Sequence, residues 1–170
     1  MLITRRNSVH IAFLLAPLLL GCQRPPSDIA ATNKEVVREF LAALDRQDFD
    51  HLRELLADDF VLHMVKGPNR VGRDAAFEVI RGFYGSFPDY THVIEEMIAE
   101  GNRVAIRLNY RGTHQGDFQG IASTGTQVSY AGAQMITVVD GVITEGWFLD
   151  DDLDLMSQLG MEMAPAAGGN

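Results

Sequence analysis

The chain is poor in the features that would place it quickly. Its 170 residues hold one cysteine, Cys22, so no disulfide can form within it. It has few basic side chains, 14 Lys and Arg against 23 Asp and Glu, for a net charge of -9. Nucleic-acid binding needs clustered Lys and Arg to neutralise phosphates, so that class of partner is excluded. No Gly-x-Ser-x-Gly elbow and no phosphate-cradling glycine loop is present, which removes the usual routes to nucleophilic and nucleotide chemistry. The longest apolar run, residues 11–20, is interrupted by Pro17. A bilayer-spanning helix needs about 20 apolar residues, so this run cannot span as a mature helix.

That run does have the layout of a secretory signal. Arg5 and Arg6 form a short basic region before it, and it ends in Leu19-Leu20-Gly21-Cys22. This ending resembles the lipobox of bacterial lipoproteins, in which a small residue precedes the cysteine that receives the lipid. The resemblance implies cleavage before Cys22, acylation of its thiol and attachment to the cell envelope through lipid alone. With Arg5 and Arg6 removed, 12 basic and 23 acidic side chains remain, net -11, and anionic lipid heads would repel such a domain. One acyl chain holds a protein only marginally, whereas the triacylated cysteine implied here is enough. Gln23 is not the aspartate that retains some lipoproteins at an inner membrane. The expected location is therefore an outer membrane, where the cell has one.

Residues 22–32, with Pro25, Pro26 and Ser27, read as an extended spacer, and residues 164–170 as a loose tail. The segment between them, 33–163, is the size of one domain. Helices come first. Thr32 and Glu35 make a capping box before Val36, Val37, Phe40, Leu41 and Leu44; Asp50 can cap a second helix; residues 74–84 give a third. The apolar period then shortens to two, giving strands over 60–65, 91–99, 103–114, 126–139 and 142–149, with helical turns over 153–159. Helices followed by an antiparallel meander predict an α+β fold. The architecture expected is a cone-shaped barrel, with three N-terminal helices packed in a strongly curved antiparallel sheet and a concave pocket at its mouth.

Several short pieces stand out in order along the chain. They are Phe87-Pro88-Asp89, Gly101-Asn102-Arg103-Val104, Arg111-Gly112-Thr113-His114-Gln115-Gly116, Gly120-Ile121 with Thr124-Gly125, Asp140-Gly141 with Glu145-Gly146-Trp147, then Asp151 and Gln158-Leu159-Gly160. Over residues 87–160 the chain resembles the SnoaL-like polyketide cyclase and ester cyclase family, which shares the cone fold of nuclear transport factor two. The resemblance implies acid/base chemistry without a cofactor in an apolar pocket, such as aldol-type ring closure or isomerisation of a small carbonyl compound. It also implies a homodimer through the outer sheet face. Two departures stand out. The family's Glu-His-Trp is Glu145-Gly146-Trp147 here, and Ala122-Ser123 replaces the prolines before Thr124-Gly125.

The family's acid/base aspartate matches Asp151. If residues 143–151 stay extended, Ile143, Glu145, Trp147, Leu149 and Asp151 share one face, and burial beside Trp147 would raise the carboxyl's pKa. The other role open to Asp151 is capping the last helix. His114, on the parity of Val104, Ile106, Leu108 and Tyr110, either assists catalysis or ties down the loop 115–125. Expected pocket residues are His63, Tyr84, Phe87, His92, Met97, Tyr110 and Trp147. His63, His92, His114 and Asp151 are the one set that could ligate a metal. No pair has zinc-site spacing, so none is expected. Arg107 and Asn109 fall on the opposite parity, toward solvent or a dimer partner. Two functions stay open: an enzyme acting on an apolar carbonyl compound, and a ligand-binding or interaction domain of the cell envelope.

Overall fold

The computed structural model describes residues 26–65 and 67–161. Cys22, the signal segment and the tail 164–170 lie outside the described residues. Four helices pack against six strands, arranged as α1 (Pro26–Asp45), α2 (Phe49–Leu55), β1 (Leu56–His63), β2 (Arg70–Val71), α3 (Arg73–Ser86), β3 (Thr91–Glu100), β4 (Arg103–Thr113), β5 (Gln127–Val139), β6 (Val142–Asp150) and α4 (Asp152–Gln158). The sheet order is β2-β1-β6-β5-β4-β3. It is mixed rather than wholly antiparallel, because β1 runs parallel to β6. It does not close into a barrel, since β2 and β3 form its two edges. No described helix is long and apolar enough to cross a membrane.

The helices follow from apolar spacing. Val37, Phe40, Leu41 and Leu44 form one stripe of α1 and are buried. The helix starts earlier than the sequence suggests, at Pro26, so residues 26–32 are helix and not spacer. Proline suits a first helical position because it has no amide hydrogen to leave unpaired. Thr32 consequently sits inside α1, where its hydroxyl donates to the Asp28 carbonyl at 2.8 Å instead of capping. The second helix is capped by Asp48, which accepts from the His51 amide at 3.1 Å, and not by Asp50.

Strands β3 to β6 form the meander. At the β5–β6 turn, Asp140 and Gly141 both have positive φ, 51° and 84°, as a type I′ hairpin requires. In β4 the buried positions are Val104, Ile106, Leu108 and Tyr110; in β5 they include Val128, Tyr130, Gln134, Ile136 and Val138.

The alternation slips in β6. Cα partners run Val139 with Val142 and Val138 with Ile143, but then Thr137 with Glu145 and Ile136 with Gly146. Thr144 is thus one extra residue, a β-bulge. Before it Ile143 faces the core; beyond it Gly146, Phe148 and Asp150 face inward, and Glu145, Trp147 and Leu149 face out. The expected single face from Ile143 to Asp151 therefore does not exist. Asp151 is exposed and caps α4, accepting from the Asp154 amide at 3.0 Å. Asp151→Ala should cost about 1 kcal/mol in a denaturant melt through the lost cap, with ligand binding unchanged; a loss of binding would contradict this placement.

Candidate active site

A cavity of about 480 Å³ opens between the inner sheet face and helices α1 and α3. Its walls are apolar, with Phe40 and Leu44 from α1, Phe60 and Leu62 from β1, Ile80 and Phe83 from α3, and Phe148 from β6. Polar groups collect at Tyr110, Gln134, His92 and Asp150, with His63 also on the lining.

Asp150 is the ionisable centre of this group. Its Oδ1 is shut off from solvent and has no hydrogen-bond partner among the described residues. Burial is the main force on its carboxyl and pushes its pKa above the ordinary 3.8. The Tyr110 hydroxyl and the His92 charge pull it back, and Asp152 adds to the rise. How Tyr110 reaches this aspartate depends on a glycine. Gly132 of β5 is the Cα partner of both Leu108 on β4 and Asp150 on β6. A Cβ there would collide with the Tyr110 ring and lie 3.0 Å from Asp150 Oδ1. The missing side chain lets the Tyr110 phenol lie across β5 toward Asp150. Gln134 Nε2 donates to the Tyr110 oxygen at 3.1 Å, so the phenol hydrogen is free for another acceptor. Burial also pushes the Tyr110 pKa up, which keeps that hydrogen in place.

Behind Tyr110 the aromatic packing is dense. Tyr90 stacks on it at 5.4 Å and shares a 2.6 Å hydroxyl–hydroxyl bond with Tyr130. The His92 ring meets Tyr110 edge-on at 5.4 Å. Its Nδ1 lies 2.6 Å from Asp45 Oδ1 at the end of α1, and that oxygen also accepts the His92 backbone amide at 3.1 Å.

Of the residues singled out from sequence, Tyr84, His92, Tyr110 and His63 line the cavity. The other five do not. His114 is fully buried on the expected parity, yet it lies beyond the cavity, stacked on Phe87 at 5.3 Å. Its Nδ1 accepts from the Thr124 hydroxyl at 3.0 Å and amide at 3.3 Å, so it ties down the loop 115–125. Phe87 is enclosed by Phe83, His114 and Phe118. Met97 packs against the core five residues along β3 from His92. Trp147 is turned outward by the Thr144 bulge and is 38% exposed. Asp151 caps a helix next to the aspartate that faces the cavity. Arg107 and Asn109 are on the outer face, paired with Glu95 and the Ser129 hydroxyl. Sequence reasoning missed Asp150, Gln134, Phe148 and Asp45. Gln134 had left a signal, a polar residue on the parity of Tyr130, Ile136 and Val138.

Comparison with known proteins agrees with this architecture. Residues 34–159 match the SnoaL-like polyketide cyclase family, and the chain belongs to it. It is similar in structure to AclR, a candidate hydroxylase from Streptomyces galilaeus, with 29% identity and a TM-score of 0.70 over 77% of this chain and 97% of that one. Wild-type IdmH of Streptomyces antibioticus, described as a candidate polyketide cyclase, gives 29% and 0.68 over 76% and 99%. A candidate SnoaL-like polyketide cyclase from Jannaschia sp. CCS1 shares the fold at 23% identity, with a TM-score of 0.74 over 84% and 100%. Among curated proteins the chain has no match.

The glycine at the family's histidine position has a steric reason. Gly146 faces inward, and a Cβ there would meet the Phe148 ring at 2.7 Å and Phe60 at 3.2 Å. The Phe148 ring occupies the space a side chain at 146 would need.

The raised Asp150 pKa has a consequence for stability. Below 3.8 the carboxyl is neutral in both folded and unfolded chains; as pH rises through the higher folded value, the folded state must hold a disfavoured charge and stability falls. Asp150→Asn should therefore melt higher than wild type at pH 7. The gap should close as pH drops below 3.8. A variant less stable than wild type at pH 7 would contradict the assignment.

Proposed function

We propose that the cavity encloses a small apolar carbonyl compound and that Asp150 moves a proton at the carbon beside its carbonyl. The reaction would be an aldol-type ring closure or an isomerisation driven by the chain's own side chains. The observation that carries this reading is the unpartnered Asp150 Oδ1 at the polar end of an apolar cavity. A carboxyl whose pKa is pushed up by burial is a stronger base when ionised, which suits a general base. Apolar walls exclude water, which strengthens each polar contact inside. Similarity to IdmH, itself described as a candidate polyketide cyclase, supports the reaction class.

Gly146 in place of the family's histidine favours a second reading, a ligand-binding domain that keeps the pocket without the chemistry. The two separate on 2-tetralone, a bicyclic apolar ketone. In deuterium oxide the protein should accelerate exchange of its α-protons, followed by proton NMR, and Asp150→Asn should lower that rate about 10²–10⁴-fold while binding persists. Binding without exchange in the wild-type chain would leave the ligand-binding reading.

The same proposal places the domain in the cell envelope, tethered through Cys22, at an outer membrane where one is present. Support is the Leu19-Leu20-Gly21-Cys22 pattern. Cys22→Ser should yield protein without lipid by intact-mass measurement, and unchanged acylation would end the claim. A homodimer through the outer sheet face is part of the proposal, with Ile98, Met135 and Trp147 exposed there.

A further inference from the structure

The polar end of the cavity contains a second group built to handle a proton. Enolisation of a ketone needs two partners at once, one to take the α-proton and one to supply a proton to the carbonyl oxygen. Asp150 can serve as the first. Tyr110 is poorly placed as the second, because its phenol hydrogen lies beside Asp150 and its burial-raised pKa holds that hydrogen back. His92 has the required construction. Its side chain is 7% exposed, and the ring sits beside the stacked Tyr90–Tyr110 pair at 5.2 and 5.4 Å, nearly perpendicular to both. Asp45 takes the Nδ1 side at 2.6 Å. The ring lines the cavity, and its Nε2 has no protein hydrogen-bond partner among the described residues.

An imidazole gripped at Nδ1 by a carboxylate has a fixed tautomer and a fixed ring plane, so proton traffic is confined to Nε2. Asp45 is itself fixed, because the oxygen that meets Nδ1 also accepts the His92 amide and so ties the end of α1 to β3. His92 is close enough to Asp150 for its charge to act on that carboxyl. One proton distributed over the pair leaves one donor and one acceptor facing the same space.

The geometry points to His92 as the second catalytic residue, with Asp45 as its positioning residue, for a reaction on ketones; this rests on the reading of Asp150 given above. The step balances. The α C–H bond breaks and its proton goes to Asp150. The C–H electron pair becomes the C=C bond of the enol, the C=O π pair moves onto oxygen, and that oxygen takes the proton at His92 Nε2, whose N–H electrons stay on the ring. The substrate class is narrowed accordingly, to apolar ketones whose oxygen can reach β3 while the α-carbon faces β6.

Full-length protein in detergent micelles provides the test, with 2-tetralone as substrate probe and 2-naphthol as a planar analogue of its enol. His92→Gln should slow α-proton exchange about 10²–10⁴-fold, with 2-naphthol bound within a few-fold of wild type. Asp45→Ala should slow it at least about tenfold, because no carboxylate then holds the Nδ1 proton and the tautomer is no longer fixed. That loss is read directly in the His92 nitrogen-15 shifts, which a purely structural role would not change. In the wild-type chain, 2-naphthol should shift the Nε2 resonance. An unshifted Nε2, which needs no variant, would overturn the proposal. So would His92→Gln exchanging at the wild-type rate while Asp150→Asn stays slow, and the Asp150 reading would then survive. Asp150→Asn at the wild-type rate would remove that reading and this one with it, as would a wild-type chain that exchanges nothing.

Discussion

In β6, Thr144 stands as one residue too many between Ile143 and Glu145, and the inward face of the strand changes identity at that point. The side-chain period of a strand is two, so a single inserted residue exchanges the buried and exposed sets for everything that follows. Gly146, Phe148 and Asp150 turn in; Glu145, Trp147 and Leu149 turn out. The cavity depends on that exchange. Without it Trp147 would turn into the space now open, and Asp150 would turn outward. The bulge also fits the local pairing, because β6 must meet β5 antiparallel on one side and β1 parallel on the other. The β1 register slips as well, between Leu56 and Val61.

Two glycines make the altered face workable. At Gly132 the absence of a side chain opens a channel across β5, through which the Tyr110 phenol reaches toward Asp150. At Gly146 it leaves room for the Phe148 ring against Phe60. The first brings polar groups together; the second thickens the apolar wall beside them. A carboxyl placed at that boundary loses water without gaining a full set of hydrogen bonds, which is why burial leads the forces on Asp150. An unsatisfied buried polar atom costs stability on the order of 1–3 kcal/mol. Such a defect persists in a fold when the rest of the core can carry it, and defects of this kind gather at functional sites.

Most of the fold was legible because its signals are periodic. The stripe of α1, the alternation of β4 and β5 and the Asp140-Gly141 turn each follow from local rules, and each lies where those rules put it. The start of α1 was misjudged because Pro25 and Pro26 resemble a spacer, although a proline at the first helical position is compatible with helix. The site was legible only in part. Tyr110 lies on the inner face where alternation along β4 puts it, and His92 lies on a strand expected to flank the cavity. Asp150 was missed in favour of its neighbour, since three consecutive aspartates look alike and a bulge leaves no mark in composition. His114 met the parity test and failed on position, because Phe87 and the loop 115–125 cover that end of β4. Parity says which face a side chain is on; it does not say whether that face is core or cavity.

The proposed pairing of His92 with Asp45 offers one way for a family member without that histidine to carry out proton chemistry. What the reaction needs is a donor and an acceptor on opposite sides of a carbonyl, not an imidazole at a given sequence position. In this chain the position next to Trp147 is closed by the Phe148 ring, whereas β3 offers an imidazole whose tautomer is set from α1. The helix and the sheet are thereby joined through the site itself: Asp45 belongs to the helical layer, His92 to the sheet edge, and Asp150 to the strand that ends at α4. A change in how α1 seats on β3 would move the Asp45 clamp before it moved anything in the apolar wall. Under the proposed reaction, the packing of the first helix belongs to the chemistry as well as to the core.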